Sequence, residues 1–316
     1  MPLALITGAS TGIGRATALR LAASGWTVLA GVRDPAAGER LVADAAATPQ
    51  PGHAAAPGSA TTGRSGGSVI PLILDVTDSA QVAAARERVD QEAARPGVSS
   101  HGGLDALVNN AGIAVAGPLE IVSAEDLRRQ FDVNVFAQVA VTRELLPALR
   151  GASTPPGKRG GRAAGGRIVF VSSIGGRVTT PFMAPYAASK YAIEAIGDAL
   201  RVELHSSGVK VALVEPGSVA TPIWDKGRVD AEGVVVPDEL QDAYGRVPAA
   251  MKKALEDTAR RGVPPEQVAE TIERALTASR MKARYLVGRD ARAMLIARRL
   301  LPDLVFDRVV KRALGV

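Results

Sequence analysis

The chain has 316 residues, 47% of them hydrophobic and only 3% aromatic, enough apolar mass for a full core built mainly from Ala, Val, Leu and Ile. Its 38 basic residues outnumber 32 acidic ones for a formal charge of +6, but no basic stripe is interleaved with aromatics. A nucleic-acid partner is therefore not expected, and an anionic cofactor is the simpler use of a basic cleft. The absence of cysteine excludes disulfides and thiolate chemistry, and His53, His101 and His205 lie far apart at no ligand spacing, so no metal site is expected.

Leu3 to Thr7 is a short apolar run that reads as a buried parallel strand. It has no basic flank before it, and no apolar run in the chain approaches the ~20 residues of a membrane span, so a cytoplasmic protein is expected. The glycine stretch Thr7-Gly8-Ala9-Ser10-Thr11-Gly12-Ile13-Gly14 follows, then a helical pattern from Arg15 to Ala23. Strand, glycine loop and helix in that order predict a dinucleotide site. Gly8 permits the tight turn, Gly12 lets backbone approach a pyrophosphate, and Gly14 lets helix and strand pack closely, with the helix N-terminus facing the negative charge. Trp26 to Val32 is the second strand, and its end reads Gly31-Val32-Arg33-Asp34. Val32 occupies the ribose-contact position, where an acidic residue would favour NAD. Arg33 beside it can pair with a 2′-phosphate, so NADP(H) is expected over NAD(H). The alternative leaves Arg33 solvated and uses Asp34 to cap the next helix.

Residues 35–45 read as helix, and 46–68 as a flexible insertion rich in Pro, Gly, Ala, Ser and Thr. Shorter interruptions at 95–103 and 151–166 also fall between a helix and the next strand, at the edge expected to lie opposite the cofactor. Val69 to Leu74 is the third strand. It ends in Asp75-Val76-Thr77-Asp78, where Asp75 either meets an adenine amino group or caps a turn, and Asp78 N-caps a helix over Ser79 to Ala94. Leu104 to Val108 leads into Asn109-Asn110-Ala111-Gly112, with Asn109 read as structural. Ser123 opens a helix toward Arg150, and within it Asn134 sits among apolar neighbours as a buried amide that needs partners. Strands follow at Arg167 to Ser172, Lys210 to Val214 and Arg284 to Val287, with Ser173 ending the first of these and Pro216-Gly217 turning after the second. Only one of Ser172 and Ser173 can face a cleft, because adjacent strand residues point opposite ways.

Between those strands lies Tyr186-Ala187-Ala188-Ser189-Lys190, at the start of an amphipathic run to His205. Positions i and i+4 share a helix face, so the phenol and the ammonium point into the same space. A free tyrosine titrates near pH ~10, and an adjacent cation favours the phenolate. A tyrosine so tuned can exchange a proton with an alcohol or ketone oxygen. The pair alone is a chance-level signal; its weight comes from the glycine loop that precedes it.

Taken together, TGASTGIG (7–14), DVTD (75–78), NNAG (109–112), Asn134, Ser173, Tyr186-x-x-x-Lys190 and Pro216-Gly217 closely resemble the short-chain dehydrogenase/reductase family over essentially Leu3 to Val287. The resemblance implies an α/β fold, a Rossmann-like doubly wound parallel sheet of about seven strands with helices on both faces. It implies a single domain over 1–289, a substrate lid at 222–260 and a C-terminal helical extension at 290–316. Tyr186 would be the general acid/base. Lys190 would lower its pKa and bind the nicotinamide ribose, Ser173 would hold the substrate oxygen, and Asn134 would hold a water in a proton relay through Lys190. The cofactor would meet Gly8, Ser10, Thr11, Gly12, Ile13, Gly14, Arg33, Asp75, Val76, Asn110, Ala111, Gly112, Tyr186, Lys190, Pro216, Gly217, Val219 and Thr221, with Asn110 to Gly112 near the adenosine and Thr221 near the carboxamide.

An apolar lid carrying Trp224, Val234 to Val236, Tyr244 and Met251 predicts a bulky apolar alcohol or ketone, and the chain resembles the hydroxysteroid and retinol dehydrogenase branch. The family is often dimeric or tetrameric through the helices of 123–150 and 182–207. Apolar residues at helical spacing over 290–314 fit either a peripheral membrane contact or packing on the body or a second subunit, the latter being preferred. Two other functions share this fold: a nucleotide sensor without catalysis, which has no need of the Asn-Ser-Tyr-Lys set, and an epimerase or dehydratase with no net cofactor consumption.

Overall fold

The computed structural model describes residues 1–48, 66–98, 102–151, 165–221 and 236–314. Seven strands, β1 (Leu3–Ile6), β2 (Thr27–Val32), β3 (Ser68–Ile73), β4 (Ala106–Asn109), β5 (Arg167–Val171), β6 (Lys210–Pro216) and β7 (Arg284–Val287), form one sheet in the order β3-β2-β1-β4-β5-β6-β7. Every neighbouring pair is parallel. The expected doubly wound sheet is thus present, and the order reverses between β1 and β4, where such folds open a crevice.

Helices α1 (Gly12–Ala23) and α2 (Pro35–Ala47) lie on one face, and α3 (Ser79–Ala93) on the other. The side-chain alternation along each strand sorts residues by size. Ala4, Ile6, Ala106, Val108, Ala212 and Val214 face α1, whereas Leu3, Leu5, Leu107, Ile168, Phe170 and Leu213 face α3. Smaller side chains on the first face let α1 lie close to the sheet, as Gly14 requires. The helix starts are capped as their sequences dictate: Asp34 accepts from the Ala36 amide, and Asp78 from the amides of Ala80 and Gln81.

The helix expected over 123–150 is not continuous. It consists of α4 (Ala124–Phe131), a π turn at Asp132–Phe136 and α5 (Ala137–Arg150), so Asn134 sits where the ladder loses its register. Helix α6 (Ala184–Glu203) carries the Tyr186 to Lys190 stretch. Farther on lie α7 (Gln241–Tyr244), α8 (Val247–Arg261), α9 (Pro265–Thr277), α10 (Arg289–Leu300) and α11 (Asp303–Leu314).

Of the expected insertion at 46–68, α2 takes residues up to Ala47 and Ser68 opens β3, because its amide pairs with the Trp26 carbonyl; residues 49–65 lie outside the described residues. The interruptions at 95–103 and 151–166 fall partly outside them too. Their described flanks, Leu104 on the Ala148 carbonyl and Gly166 on the Leu149 carbonyl, attach at the N-terminal ends of β4 and β5, away from the crevice. In the expected lid, Trp224, Val234 and Val235 are likewise outside. Val236 and Met251 are buried, and the Tyr244 hydroxyl donates to Glu120 at 2.9 Å.

Candidate active site

A single cleft at the C-terminal ends of β1, β2, β4, β5 and β6 brings together every residue expected of the site except Gly14 and Asn134. Both exceptions act from behind the wall. A Cβ on Gly14 would stand 2.3 Å from the Gly8 carbonyl oxygen and 2.5 Å from the Asn110 amide nitrogen, so only glycine fits there. Gly8 and Gly12 hold φ of +65° and +57°, in the left-handed region that disfavours a side chain. The loop is tied to the end of β4: Asn110 donates through Nδ2 to the Thr7 and Gly8 carbonyls at 2.9 and 3.0 Å, and Thr7 Oγ1 accepts from the Asn110 and Ala111 amides at 3.0 and 2.9 Å. Asn110 is thereby as structural as Asn109, whose Nδ2 donates to Thr142 at 2.9 Å. No acidic residue occupies the first turn of α1, which leaves its positive end to an anion.

Arg33 is exposed at the far end of the cleft, and Asp34 caps α2 beside it, so the two readings of this corner coexist. Asp75 Oδ1 accepts from the Thr77 amide at 3.0 Å and the Thr77 hydroxyl at 2.7 Å, which makes it a turn-former that still lines the cleft. Burial raises its pKa, but the Thr77 bonds and the Arg33 charge outweigh that and leave it lowered. A glycine cradle, a helix N-terminus and an exposed cation along one trough fit a dinucleotide.

At the other end of the trough, the Ser173 hydroxyl hydrogen-bonds the Tyr186 phenol and accepts from the Gly175 amide at 3.0 Å. Ser172 is buried against Gly176. Lys190 Nζ lies 5.7 Å from the Tyr186 ring centroid and donates to the Val171 carbonyl at 2.8 Å. Its burial lowers its pKa to about 8, against the pull of Glu194. The expectation that Lys190 lowers the Tyr186 pKa is not met here. Burial raises the Tyr186 pKa, and only the Ser173 bond opposes it, so the phenol is protonated at neutral pH.

Asn134 is anchored behind this pair. Its Oδ1 accepts from the Ile113 amide at 2.9 Å, while Nδ2 donates to the Ile113 carbonyl at 2.9 Å and to Ser189 Oγ at 3.2 Å. Both Nδ2 hydrogens are thus committed to Ile113 and Ser189, which leaves the second lone pair of Oδ1 to meet a water. Gln130 and Ser189, not singled out in the sequence, complete this buried knot. Gln130 Oε1 accepts from the Val115 amide at 2.6 Å, and Ser189 Oγ donates to the Tyr186 carbonyl at 2.7 Å. A second tie is Phe182, the one non-glycine with positive φ among the described residues (67°), whose carbonyl accepts from Gly117 at 2.7 Å.

A partly buried ionic cluster also lies behind Lys190, which the sequence pattern does not single out. Arg284 meets Glu194 at 3.0 Å, Glu215 at 3.1 Å and Asp198 at 2.6 Å, and Arg177 meets Glu215 at 3.0 Å. Glu194 is pushed up to about 7 by burial and by the Glu215 charge, against Arg284. Its spacing of four from Lys190 was visible; its burial was not. Pro216 and Gly217 close the floor of the cleft. The Gly217 amide donates to the Val287 carbonyl at 2.8 Å, and Asp290 Oδ2 accepts from the Ser218 amide at 2.7 Å.

This fold and cleft are those of the short chain dehydrogenases, and the chain belongs to that family, matching it over residues 2–232. It is an NAD(P)-dependent oxidoreductase acting on CH–OH groups. It is 34% identical over 309 residues to the NADPH-dependent 3-dehydrocapnine reductase of Ornithobacterium rhinotracheale, covering 98% of this chain and 96% of that protein. Human retinol dehydrogenase 16 is 32% identical over 312 residues, covering 96% and 86%. A short chain dehydrogenase/reductase from Burkholderia phymatum, solved in complex with NAD, superposes with a TM-score of 0.70 at 27% identity, covering 94% of this chain and 92% of that one.

Proposed function

We propose that the protein interconverts a ketone or aldehyde and its alcohol on a bulky apolar substrate, with NADP(H) preferred and Tyr186 as general acid and base. The observation that carries this reading is the Ser173–Tyr186 hydroxyl pair at the end of a glycine-cradled trough, with Lys190 one helical turn along. A bound nicotinamide supplies the hydride chemistry. The α1 N-terminus and the Gly8 to Gly14 loop hold the pyrophosphate, and Arg33 pairs with a 2′-phosphate. Ser173 orients the carbonyl oxygen. Tyr186 gives its proton to that oxygen as negative charge develops and takes it back in the reverse direction. A phenol kept protonated by burial is ready for the reductive direction. Lys190 binds ribose hydroxyls and stabilises the phenolate once the proton has left. The remaining lone pair of Asn134 Oδ1 holds a relay water at the π turn.

The relatives' names, a dehydrocapnine reductase and a retinol dehydrogenase, support an apolar substrate. Exposed Phe136, Tyr191 and Val202 fit self-association through the π turn and α6, which sedimentation tests.

The chemistry is tested by following NADPH and NADH oxidation against apolar ketones, steroids and retinal. Tyr186→Phe is expected to lower kcat by about 10²- to 10⁴-fold, and undiminished turnover would remove the assignment. Arg33→Ala is expected to raise the KM for NADPH and leave that for NADH unchanged; a wild-type preference for NADH would end the argument from Arg33.

A further inference from the structure

Two short helices at the end of the chain present an unusual outer surface. Their inner sides are accounted for: Ala291 and Phe306 are buried against Ile174 and Val178, with Met294 and Leu295 packed alongside. Their outer sides carry Ile296, Leu300, Leu304 and Val309 at 52%, 75%, 73% and 51% exposure. Ile296 and Leu300 lie one turn apart on α10, and Val305 and Val309 one turn apart on α11, with Leu304 beside them. Isolated exposed apolar side chains are ordinary, but this many on one helix pair mark a contact surface. The two helices are held together at their junction, where Arg298 pairs with Asp303 at 2.6 Å and stacks over the Phe306 ring at 5.5 Å.

Charge decides what the surface meets. Residues 289–314 hold seven arginines and lysines against three aspartates, a net +4 out of the +6 of the whole chain. A second copy seated on the same patch would oppose two such fields, whereas an anionic surface would gain from both. Basic side chains flanking apolar ones on short helices are the composition of segments that lie in the plane of a bilayer interface. Each Lys or Arg near an anionic leaflet contributes attraction that salt screens. No helix among the described residues is long and apolar enough to cross a membrane, so this contact would be one of seating.

We propose that α10 and α11 form a docking platform for an anionic phospholipid surface. Its placement gives it a use. Ile174, beneath the platform, follows Ser173 directly, and Asp290 at the first turn of α10 holds the Ser218 amide on the cleft floor. The platform therefore joins the cleft at two points and brings it to the boundary where amphiphilic carbonyl compounds reside. The docking itself does not depend on the reaction assigned above.

The test is sedimentation of the full-length protein with vesicles of phosphatidylcholine alone or with roughly a third phosphatidylglycerol. The expected result is at least tenfold more binding to the anionic vesicles, lost in high salt. Leu300→Asp with Leu304→Asp should abolish binding, and Arg299→Gln with Arg308→Gln should weaken it severalfold. All four positions are exposed, and unchanged thermal melts confirm intact folding. Absence of vesicle binding by the wild type, or binding indifferent to both double variants, overturns the proposal. So does a dimer that the leucine substitutions dissociate in the absence of lipid, which would make the face a subunit interface.

Discussion

Glu194 shows how far one buried carboxyl can reach. It stands one turn after Lys190, between Arg284 and Glu215, and its folded pKa of about 7 lies above the ordinary 4.5. A raised pKa means that the folded state favours the protonated form. The stability Glu194 contributes is therefore fully present below 4.5 and is lost as pH rises through about 7. Glu194→Gln, uncharged throughout, should gain on the wild type in urea denaturation between about pH 5 and about pH 8, by on the order of 1–3 kcal/mol. A constant difference across that range would show that Glu194 does not titrate there. The same substitution removes the charge that holds Lys190 up against burial. Where Lys190 governs the alkaline limb of kcat/KM, that limb should move to lower pH in the variant. The raised pKa of Tyr186 belongs to this scale as well. Spacing makes Tyr186 and Lys190 neighbours, but only the packed structure shows that burial outweighs the Ser173 bond and that the ammonium is held by the Val171 carbonyl.

At the level of elements, the strands, the glycine loop and the capped helix starts were legible because each is written in adjacent residues: alternation, Gly8 to Gly14, Asp34 and Asp78. The π turn was not, since nothing local distinguishes Asp132–Phe136 from the helix on either side. Its reason lies across the fold, where Asn134 must reach both Ile113 and Ser189. Removing that reach should be costly. Asn134→Ala leaves the Ile113 amide short of a partner in a part-buried place, while its carbonyl keeps the Gln130 bond at 3.1 Å, for a loss of about 1–3 kcal/mol. Because Ile113 lines the cleft, the KM for cofactor should rise as well. A loss below about 0.5 kcal/mol would mean that the segment repacks without its anchor. Arg284 binds β7 to α6 and β6 in the same way, three acidic partners meeting one guanidinium. Its raised pKa has the Asp198 bond as first cause, so the guanidinium keeps its charge in this setting.

For the whole molecule, the parallel order places every chemical group at one edge of the sheet, while the segments that break the sequence pattern attach at the other. Gly103 and Gly166, beside two such segments, come so close to the Ala148 and Leu104 carbonyls that a Cβ would clash at 2.2 and 2.4 Å, so the strands are reentered through tight backbone contacts. A chain ending at residue 264 lacks α9 and β7 and should be protease-sensitive with little cooperative unfolding. A chain ending at residue 288 keeps the sheet whole, and should fold while binding nucleotide more weakly for want of the Asp290 bond to Ser218. Equal behaviour of the two fragments would contradict this division.

Helix α1, whose N-terminus lines the cleft, rests on α9. Ala18 and Leu21 share a core with Val268, Ile272 and Ala275, and Arg20 pairs with Glu273 at 2.6 Å, 253 residues away. The apolar side of α1 is thus covered only by a helix whose Glu273 lies 253 residues beyond Arg20. Until α9 has been made, that side is open to solvent and to chaperones, and the cleft that α1 borders stays incomplete.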